Sequence, residues 1–266
     1  MPAIVDLSHE IFEDMPSLIK GAPVKTWMLH THDKPQIWDK GLPPTEWHQL
    51  QKDGKEPFMS HDTMMLLLSD HVGTHVDAPS HTCPRTKPHG ETIDEIPLER
   101  LWMLDAVLLD MKYKKKHDPI LVTDFEKAEE EAGVEVKPGT MVIVNTGNYV
   151  NFDKNPVEYI QMRIHLTQES ADWLVSKKIT AFGMDSVNFD THGLPDVSEQ
   201  RRMHSLTVVG HPVHETLLCQ NGILHVEGLN LRDLEETGKT RFKFCALPLK
   251  IRGGSGSPVR AIAIVD

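Results

Sequence analysis

Three histidines and an aspartate fall within eleven residues of this 266-residue chain, at His71, His75, Asp77 and His81. Imidazole and carboxylate groups are ligands that suit Zn²⁺, Mn²⁺ or Fe²⁺ better than Ca²⁺ or Cu⁺. Three such ligands would leave a coordination position open, as catalytic metal sites do. His81 could then take up and return a proton. The alternative is that these are unrelated surface or capping residues, and the spacing favours the metal.

Neither a regular helix nor a regular strand brings these side chains to one point. In a helix, His71 and His75 share a face, but Asp77 points elsewhere and Pro79 ends the helix. In a strand, His71 and His75 would lie about 13 Å apart, since each residue advances ~3.3 Å. Metal–nitrogen bonds of about 2.0–2.1 Å cannot span that distance. We therefore predict a turn at Gly73, which can adopt dihedral angles closed to other residues.

A second group of possible ligands follows downstream. It lies within 24 residues and consists of His204, His211, His214, His225 and Glu227. His214 opens a predicted helix, and Glu227 follows the Gly222 turn on a predicted strand, so these two could converge. Cys83 could be a nucleophile or a ligand, but an ordinary apolar or surface cysteine is favoured because no partner motif accompanies it.

Composition excludes several classes of function. The net charge of −11 and pI near 5.8 argue against a nucleic-acid surface. The basic run at 112–117 is interpreted as a solvated loop rather than a phosphate-binding patch. No apolar run approaches the ~20 residues of a membrane span, and the N-terminus lacks signal-peptide features. The three widely spaced cysteines predict no disulfide framework and favour a reducing cytoplasm.

The predicted elements alternate irregularly between strands and helices. Strands are expected within 3–8, 63–70 (buried), 101–111, 138–147 and 179–186, and two more after residue 241. A helix should begin at a Thr123–Glu126 capping box and end at Gly133, and another should begin near Thr167. Residues 211–231 predict a helix, a turn and a strand. We expect an α/β fold with a mixed sheet in one domain, 1–266, with an irregular excursion at 14–60.

The stretch H-V-G-T-H-V-D-A-P-S-H at 71–81 resembles the H-x-G-T-H-x-D-x-P-x-H signature of the cyclase family of metal-dependent hydrolases. That family includes bacterial kynurenine formamidase (arylformamidase) and isatin hydrolase. Residues 4–16, 214–231 and 247–266 are also similar to family segments. The resemblance implies a compact mixed α/β domain of the swivelling β/β/α type, assembled as a homodimer or homotetramer.

The resemblance also implies roles for individual residues. His71, His75 and Asp77 would bind a divalent metal, Mn²⁺ or Zn²⁺, and His81 would be the general acid/base. Asp77 would bridge to a second ion held by His214 and Glu227. The segment between those two residues is one residue longer than in the formamidases, and isatin hydrolases hold a single manganese. One or two ions per chain therefore both remain open.

These observations predict a cytoplasmic amidohydrolase that uses a metal-activated water on a small formamide or cyclic amide. An aryl substrate would suit an apolar pocket wall formed by Trp27, Trp38, Trp47 and Phe58. Residues 14–60 would complete a pocket, in this or a neighbouring subunit, or form a surface loop. The alternatives are a lactone or cyclic-ester hydrolase and a non-catalytic metal-binding protein. Ser255 and Ser257 either contact substrate or shape a turn.

Overall fold

The computed structural model describes residues 2–17, 24–30, 53, 62–190 and 211–266. The chain forms two compact units. The first comprises Met1–Ile11, Met15–Lys20 and Asp70–Asp266, and the second comprises Phe12–Asp14 and Gly21–Ser69. The single domain expected over 1–266 stays a prediction.

The regular elements of the described ranges are numbered in chain order. The strands are β1 (Ala3–Asp6), β2 (Lys25–His30), β3 (Thr63–Leu67), β4 (His75–Asp77), β5 (Leu104–Asp110), β6 (Pro119–Ile120), β7 (Met141–Asn145), β8 (His165–Leu166), β9 (Ala181–Met184), β10 (Leu224–Glu227), β11 (Arg241–Cys245), β12 (Gly256–Pro258) and β13 (Ile262–Val265). The α-helices are α1 (Val122–Ala132), α2 (Asn151–Lys154), α3 (Pro156–Gln161), α4 (Gln168–Ser176), α5 (Pro212–His214) and α6 (Arg232–Glu236). A π-helical segment, Glu215–Gln220, continues α5, and short 3₁₀ turns cover Pro79–His81, Ile93–Glu95, Leu98–Leu101 and Asn148–Val150.

A nine-stranded mixed sheet organises the first unit, in the order β1-β13-β11-β5-β7-β9-β10-β4-β12. Its four central strands, β5, β7, β9 and β10, run parallel, and helices lie in the chain between them. Parallel neighbours need such crossovers, whereas the antiparallel strands at both edges do not. The predicted α/β class with a mixed sheet is confirmed.

The central strands are buried on both faces of the sheet. On β5, Ala106 and Leu108 pack into one hydrophobic cluster, while Val107 and Leu109 pack into another. Helices α1 and α4 contribute to the second cluster through Phe125 and Leu174, for example. Burial on both faces explains why these strands are continuous apolar runs in the sequence.

The helix termini agree with the sequence at two points and differ at one. Gly133 ends α1 in the left-handed conformation with φ 61°, and the Thr167 hydroxyl accepts the Ser170 N–H at the start of α4. The predicted Thr123 cap is wrong, because α1 begins at Val122. Asp124 supplies the cap instead, since its carboxylate accepts the Leu121 N–H at 2.7 Å. Asp124 is the third residue of the helix and takes the part that the predicted capping box gave to Glu126, while Leu121 stands at the cap position.

Two strand predictions also need correction. Strand β3 forms, but its side chains from Met64 to Leu67 are exposed rather than buried. It pairs with β2, which lies inside the excursion predicted to be irregular. An apolar run does not by itself show whether a tertiary partner covers it. The closing segment holds three strands rather than the two predicted. The additional strand, β12, consists of Gly, Ser and Pro, which are not enriched in strands, so its sequence did not predict a strand.

Of the predicted pocket aromatics, Trp27 lies on β2 and is 44 % exposed. Trp38, Trp47 and Phe58 lie outside the described residues. None of the described helices is long and apolar enough to cross a membrane.

Candidate metal centre

Two adjacent antiparallel strands, β4 and β10, present the central side chains. His75 is paired with Glu227, and Asp77 is paired with His225. Because side chains alternate along a strand, these four residues all project from the same face of the sheet. Each is at most 4 % exposed. The centre is therefore a buried polar patch on an otherwise apolar sheet.

The turn predicted at Gly73 is present and brings the preceding histidine to the same place. Gly73 has φ +63°, in the left-handed region. The ring centroid of His71 lies 5.3 Å from that of His75 and 4.1 Å from that of His81. His81 ends the 3₁₀ turn that begins at Pro79, and it is exposed. The four side chains of the 71–81 stretch are thus brought together.

Asp77 lies between two groups of imidazoles. Its Oδ1 is 2.7 Å from His71 Nδ1 and 3.4 Å from His75 Nε2. Its Oδ2 is 3.8 Å from His214 Nε2 and 3.9 Å from His225 Nδ1. One oxygen therefore faces each group, which is the geometry of a carboxylate able to bridge two cations.

Glu227 divides its oxygens in a similar way. Oε2 lies 3.7 Å from His75 Nε2, and Oε1 lies 3.4 Å from His214 Nε2. The structure thus brings the downstream pair predicted from the sequence, His214 and Glu227, onto the same centre as the 71–81 stretch. His211 immediately precedes α5, and its ring centroid lies 5.3 Å from that of His214. His204 lies outside the described residues.

The outer nitrogens of two histidines are held by hydrogen bonds. His75 Nδ1 pairs with the Gly73 carbonyl at 3.0 Å. His214 Nδ1 pairs with Asp190 Oδ2 at 3.1 Å, and Asp190 also accepts the His214 backbone N–H. Such outer partners orient the ring and direct the other nitrogen towards a metal. Here the Nε2 atoms of both rings point towards the carboxylates.

Ser255 has the corresponding role for His71. Its hydroxyl lies 2.9 Å from His71 Nε2 and donates to Asp70 Oδ2 at 2.8 Å. Ser257, two residues later, is fully buried, accepts the Leu249 N–H and donates to a backbone carbonyl. Of the two serines left open by the sequence, Ser255 contacts a histidine of the centre, whereas Ser257 lies on β12 and bonds backbone groups.

The electrostatics of the centre favour positive charge between the carboxylates. Burial lowers the pKa of His75, but hydrogen bonding and the charges of Asp77 and Glu227 outweigh it and raise that pKa to about 9. Burial likewise opposes protonation of His214, yet Asp190 and Glu227 raise its pKa to about 10. Burial raises the pKa of Glu227, with the neighbouring Asp77 charge adding to it. A divalent cation can supply the charge that protons on these histidines otherwise supply.

The donor set fits a divalent metal. Four groups of ligand atoms lie within 4.8 Å of one another in the described part of the chain: His71–Asp77–His81, His75–Asp77–Glu227, Asp77–His214–His225 and Asp190–His211–His214. Neither ring nitrogen of His225 has a hydrogen-bond partner there, although the residue is fully buried. Buried polar atoms are ordinarily paired, so these nitrogens are suited to an ion.

Sequence reasoning missed three contributors to the centre. His225 belonged to the downstream group but was not selected, although its position two residues before Glu227 on one strand signals a shared face. Asp190 and Asp70 had no recognisable motif, because their roles depend on contacts to His214 and Ser255 across the fold. No local pattern could have identified those two aspartates.

A disulfide joins Cys83 to Cys219, with the two Cα atoms 4.8 Å apart. This corrects the expectation of an ordinary cysteine at 83 and no disulfide. The partners are 136 residues apart in the chain. They meet because the 3₁₀ turn Pro79–His81, which precedes Cys83, packs against the π-helical segment Glu215–Gln220. Such a pairing cannot be deduced from cysteine spacing alone.

Comparison with known proteins agrees with this geometry. The model of the family described as "Putative cyclase" matches residues 5–191, which is well over half of the chain. An isatin hydrolase of Roseibium aggregatum is 27 % identical over 243 residues, covering 87 % of this chain and 85 % of that protein. A kynurenine formamidase of Salinibacter ruber is 28 % identical over 198 residues, covering 74 % of this chain and 77 % of that one.

A solved structure shares the fold. It is isatin hydrolase A from Labrenzia aggregata bound to benzyl benzoate, with a TM-score of 0.74, 22 % identity, and coverage of 99 % of this chain and 94 % of that one. At this identity the likeness concerns the fold. Together with the family match across residues 5–191 and the histidine–aspartate geometry, it shows that the chain belongs to the putative cyclase family.

Proposed function

We propose that this protein is a metal-dependent hydrolase that cleaves the C–N bond of a small formamide or cyclic amide. One observation carries the proposal. Two buried carboxylates, Asp77 and Glu227, lie between inward-facing imidazole nitrogens, and the exposed His81 lies at the edge of the same cluster. The names of the two relatives, an isatin hydrolase and a kynurenine formamidase, support hydrolysis of this bond type.

The residues present can hold one or two ions. His71, His75 and Asp77 would bind the first, and Asp77, His214 and Glu227 the second, with Zn²⁺ and Mn²⁺ as the suitable ions. A bound ion would polarise the substrate carbonyl and lower the pKa of water. The Ser255 hydroxyl, the Gly73 carbonyl and the Asp190 carboxylate would keep the three imidazoles oriented.

His81 is proposed to move the proton. Hydrolysis adds a hydroxyl group to the carbonyl carbon, breaks the C–N bond and places a proton on the leaving nitrogen. An imidazole can accept that proton from water and deliver it to the nitrogen. The ring centroid of His81 is 4.1 Å from that of His71 and 6.2 Å from that of His214, so it borders both groups of ligands while remaining exposed.

The substrate class divides into two main candidates. A cyclic amide such as isatin would open to an amino carboxylate, whereas an aryl formamide would release formate and an amine. A lactone would open at the same site by attack of water on an ester carbonyl, with cleavage of a C–O bond in place of a C–N bond. We propose the cyclic amide as the first candidate, supported by the broader overlap with the isatin hydrolase, 87 % of this chain against 74 % for the formamidase.

The test is a comparison of substrates with protein loaded with Mn²⁺ or Zn²⁺. We expect turnover of isatin above that of N-formylkynurenine and of a γ-lactone, measured by absorbance. His81→Ala should still bind metal and should lose at least about 100-fold in kcat, in line with general acid–base catalysis. His117→Ala is the matched control, because His117 belongs to none of the described ligand groups.

Two results would overturn the proposal. Metal-loaded protein that hydrolyses none of the three substrate classes would favour a metal-binding protein without turnover. Unchanged kcat in His81→Ala, with metal content equal to that of the wild type, would remove His81 from the chemistry.

A further inference from the structure

His225 is the one histidine of the centre that the family signature does not include and that the structure leaves without a hydrogen bond. It lies on β10, is fully buried, and has no partner for Nδ1 or Nε2 among the described residues. A buried polar group without a partner destabilises the folded state. A fully buried strand position is served better by an apolar side chain than by an imidazole unless the imidazole has a ligand.

The surroundings of His225 point to a cation rather than to a structural hydrogen bond. Its cross-strand partner is Asp77, and its Nδ1 is 3.9 Å from Asp77 Oδ2. Its ring centroid is 4.7 Å from that of His214 and 4.8 Å from that of Phe189. The His225 imidazole is therefore in contact with the Phe189 ring, and the Asp77 carboxylate and the His214 imidazole lie close to it.

Three separations between donor atoms of this group are close to those around a four-coordinate ion. Metal–donor bonds of about 2.0–2.1 Å in a tetrahedron place the donors roughly 3.4 Å apart. His214 Nε2 lies 3.4 Å from Glu227 Oε1 and 3.8 Å from Asp77 Oδ2. His225 Nδ1 lies 3.9 Å from Asp77 Oδ2, and the ligand atoms of Asp77, His214 and His225 all lie within 4.8 Å of one another.

We propose that His225 is a ligand of the second cation, together with Asp77, His214 and Glu227. This inference rests on the proposed two-ion form of the centre. It adds a second imidazole to that site and gives it four buried protein donors. A site with two imidazoles and four protein ligands suits Zn²⁺ and leaves no position open, as structural zinc sites do.

The two sites should therefore differ in how firmly they hold an ion. The first, built on His71, His75 and Asp77, has three protein donors and borders the exposed His81. The second is enclosed, because His225, His214 and Glu227 are each at most 4 % exposed. We expect a chelator to remove one equivalent of Zn²⁺ quickly from the wild-type protein and the other equivalent slowly.

The test is a Zn²⁺ titration of metal-depleted protein, with bound metal measured by elemental analysis after gel filtration. Wild type should retain two equivalents. His225→Leu should retain one, with the affinity for the second weakened about 100-fold or more, beyond the 10–100-fold effect of residues that only orient a ligand. Phe189→Leu is the matched control, since it alters packing against the same imidazole but removes no donor, and it should retain two.

A second measurement does not depend on a variant. In wild-type protein labelled with ¹⁵N-histidine, a ring nitrogen of His225 should change its chemical shift on addition of the second equivalent of Zn²⁺ and not the first. Two equivalents bound by a folded His225→Leu variant with unchanged affinity, or an unmoved His225 signal, would overturn the inference.

The outcomes separate this inference from the proposed function. One ion in the wild-type protein, with isatin hydrolysed, would overturn the His225 ligand and leave the hydrolase. Two ions and a shifted His225 signal without hydrolysis of any substrate would support His225 as a ligand while overturning the proposed function.

Discussion

At the scale of single residues, the centre depends on side chains that hold other side chains. Asp77 offers one carboxylate oxygen to His71 and His75 and the other to His214 and His225. Each of these contacts requires that the imidazole ring turn a particular nitrogen towards Asp77. Gly73, Asp190 and Ser255 provide that orientation from outside the cluster.

Ser255→Ala tests this orienting role. The substitution removes the hydroxyl between His71 Nε2 and Asp70 Oδ2, so the His71 ring loses a fixed partner. We expect metal affinity to fall about 10–100-fold, as for other residues that orient metal ligands. Competition with a chromogenic chelator measures the affinity.

The control lies in the same loop. Ser257→Ala removes a fully buried hydroxyl that bonds the Leu249 N–H and the Pro258 carbonyl, without contacting a histidine. It should lower stability by about 1–3 kcal/mol, because it removes two hydrogen bonds, one of them to the buried Pro258 carbonyl, and keep the metal affinity. Equal affinities in wild type and Ser255→Ala would contradict the role assigned to Ser255.

At the scale of elements, the register of β4 against β10 decides which side chains meet. His75 opposite Glu227 and Asp77 opposite His225 place four polar groups on one face. A slip of one residue would turn all members of one strand to the opposite face. The disulfide between Cys83 and Cys219 links the segment after His81 to the π-helical segment after His214. It thereby ties together two elements that carry residues of the centre.

Gly73→Ala tests the turn before β4. Gly73 has φ +63°, and a Cβ atom there would lie 3.2 Å from Met15 Cε. A left-handed alanine costs about 1–2 kcal/mol, and relaxation of the turn would move His71 away from His75. We expect a loss of stability of that size, together with weaker metal binding measured by titration.

Gly133→Ala separates the loss of stability from the loss of metal binding. Gly133 has φ +61°, and a Cβ atom there would meet nothing within 4 Å. It carries a similar backbone penalty at the end of α1, far along the chain from the histidines. We expect a comparable loss of stability and wild-type metal affinity. Weaker binding in both variants would show that general destabilisation, and not the turn, governs the site.

At the scale of the whole molecule, the centre collects residues from distant parts of the chain. His71 and Glu227 are 156 residues apart in the chain, and the pairing of β4 with β10 brings their segments together. The ligands converge in the folded state alone, so ion binding and folding are coupled. The homodimer or homotetramer expected from the family resemblance stays a prediction, as does the cytoplasmic location.

Metal removal should therefore lower thermal stability. A ligand at about 100 times its Kd stabilises the folded state by about 2.7 kcal/mol, which corresponds to roughly 5 °C in Tm for a chain of this size. Differential scanning calorimetry with and without EDTA measures the change, and added Zn²⁺ should reverse it. The double variant His75→Ala/His214→Ala should show the same Tm in both conditions. A wild-type Tm that ignores EDTA and Zn²⁺ would contradict a metal centre.

The residues from 71 to 81 determined much of the centre by themselves. Their information is local, because Gly73 and Pro79 interrupt regular structure within the stretch that carries the ligands. The strands β5, β7 and β9 were also predictable, since burial on both faces leaves continuous apolar runs. His214 and Glu227 followed from the family resemblance, and in the structure His214 Nε2 lies near both Glu227 Oε1 and Asp77 Oδ2.

Only the tertiary structure decided the rest. His225 faces Asp77 because of strand register, Ser255 reaches His71 because β12 pairs with β4, and Cys83 meets Cys219 across 136 residues. The exposure of β3 likewise depends on what packs beside it and not on its own apolar residues. These are contacts between segments far apart in sequence. Their chemistry is visible in the chain, but their pairing is set by the packing and register of the sheet, to which no local pattern corresponds.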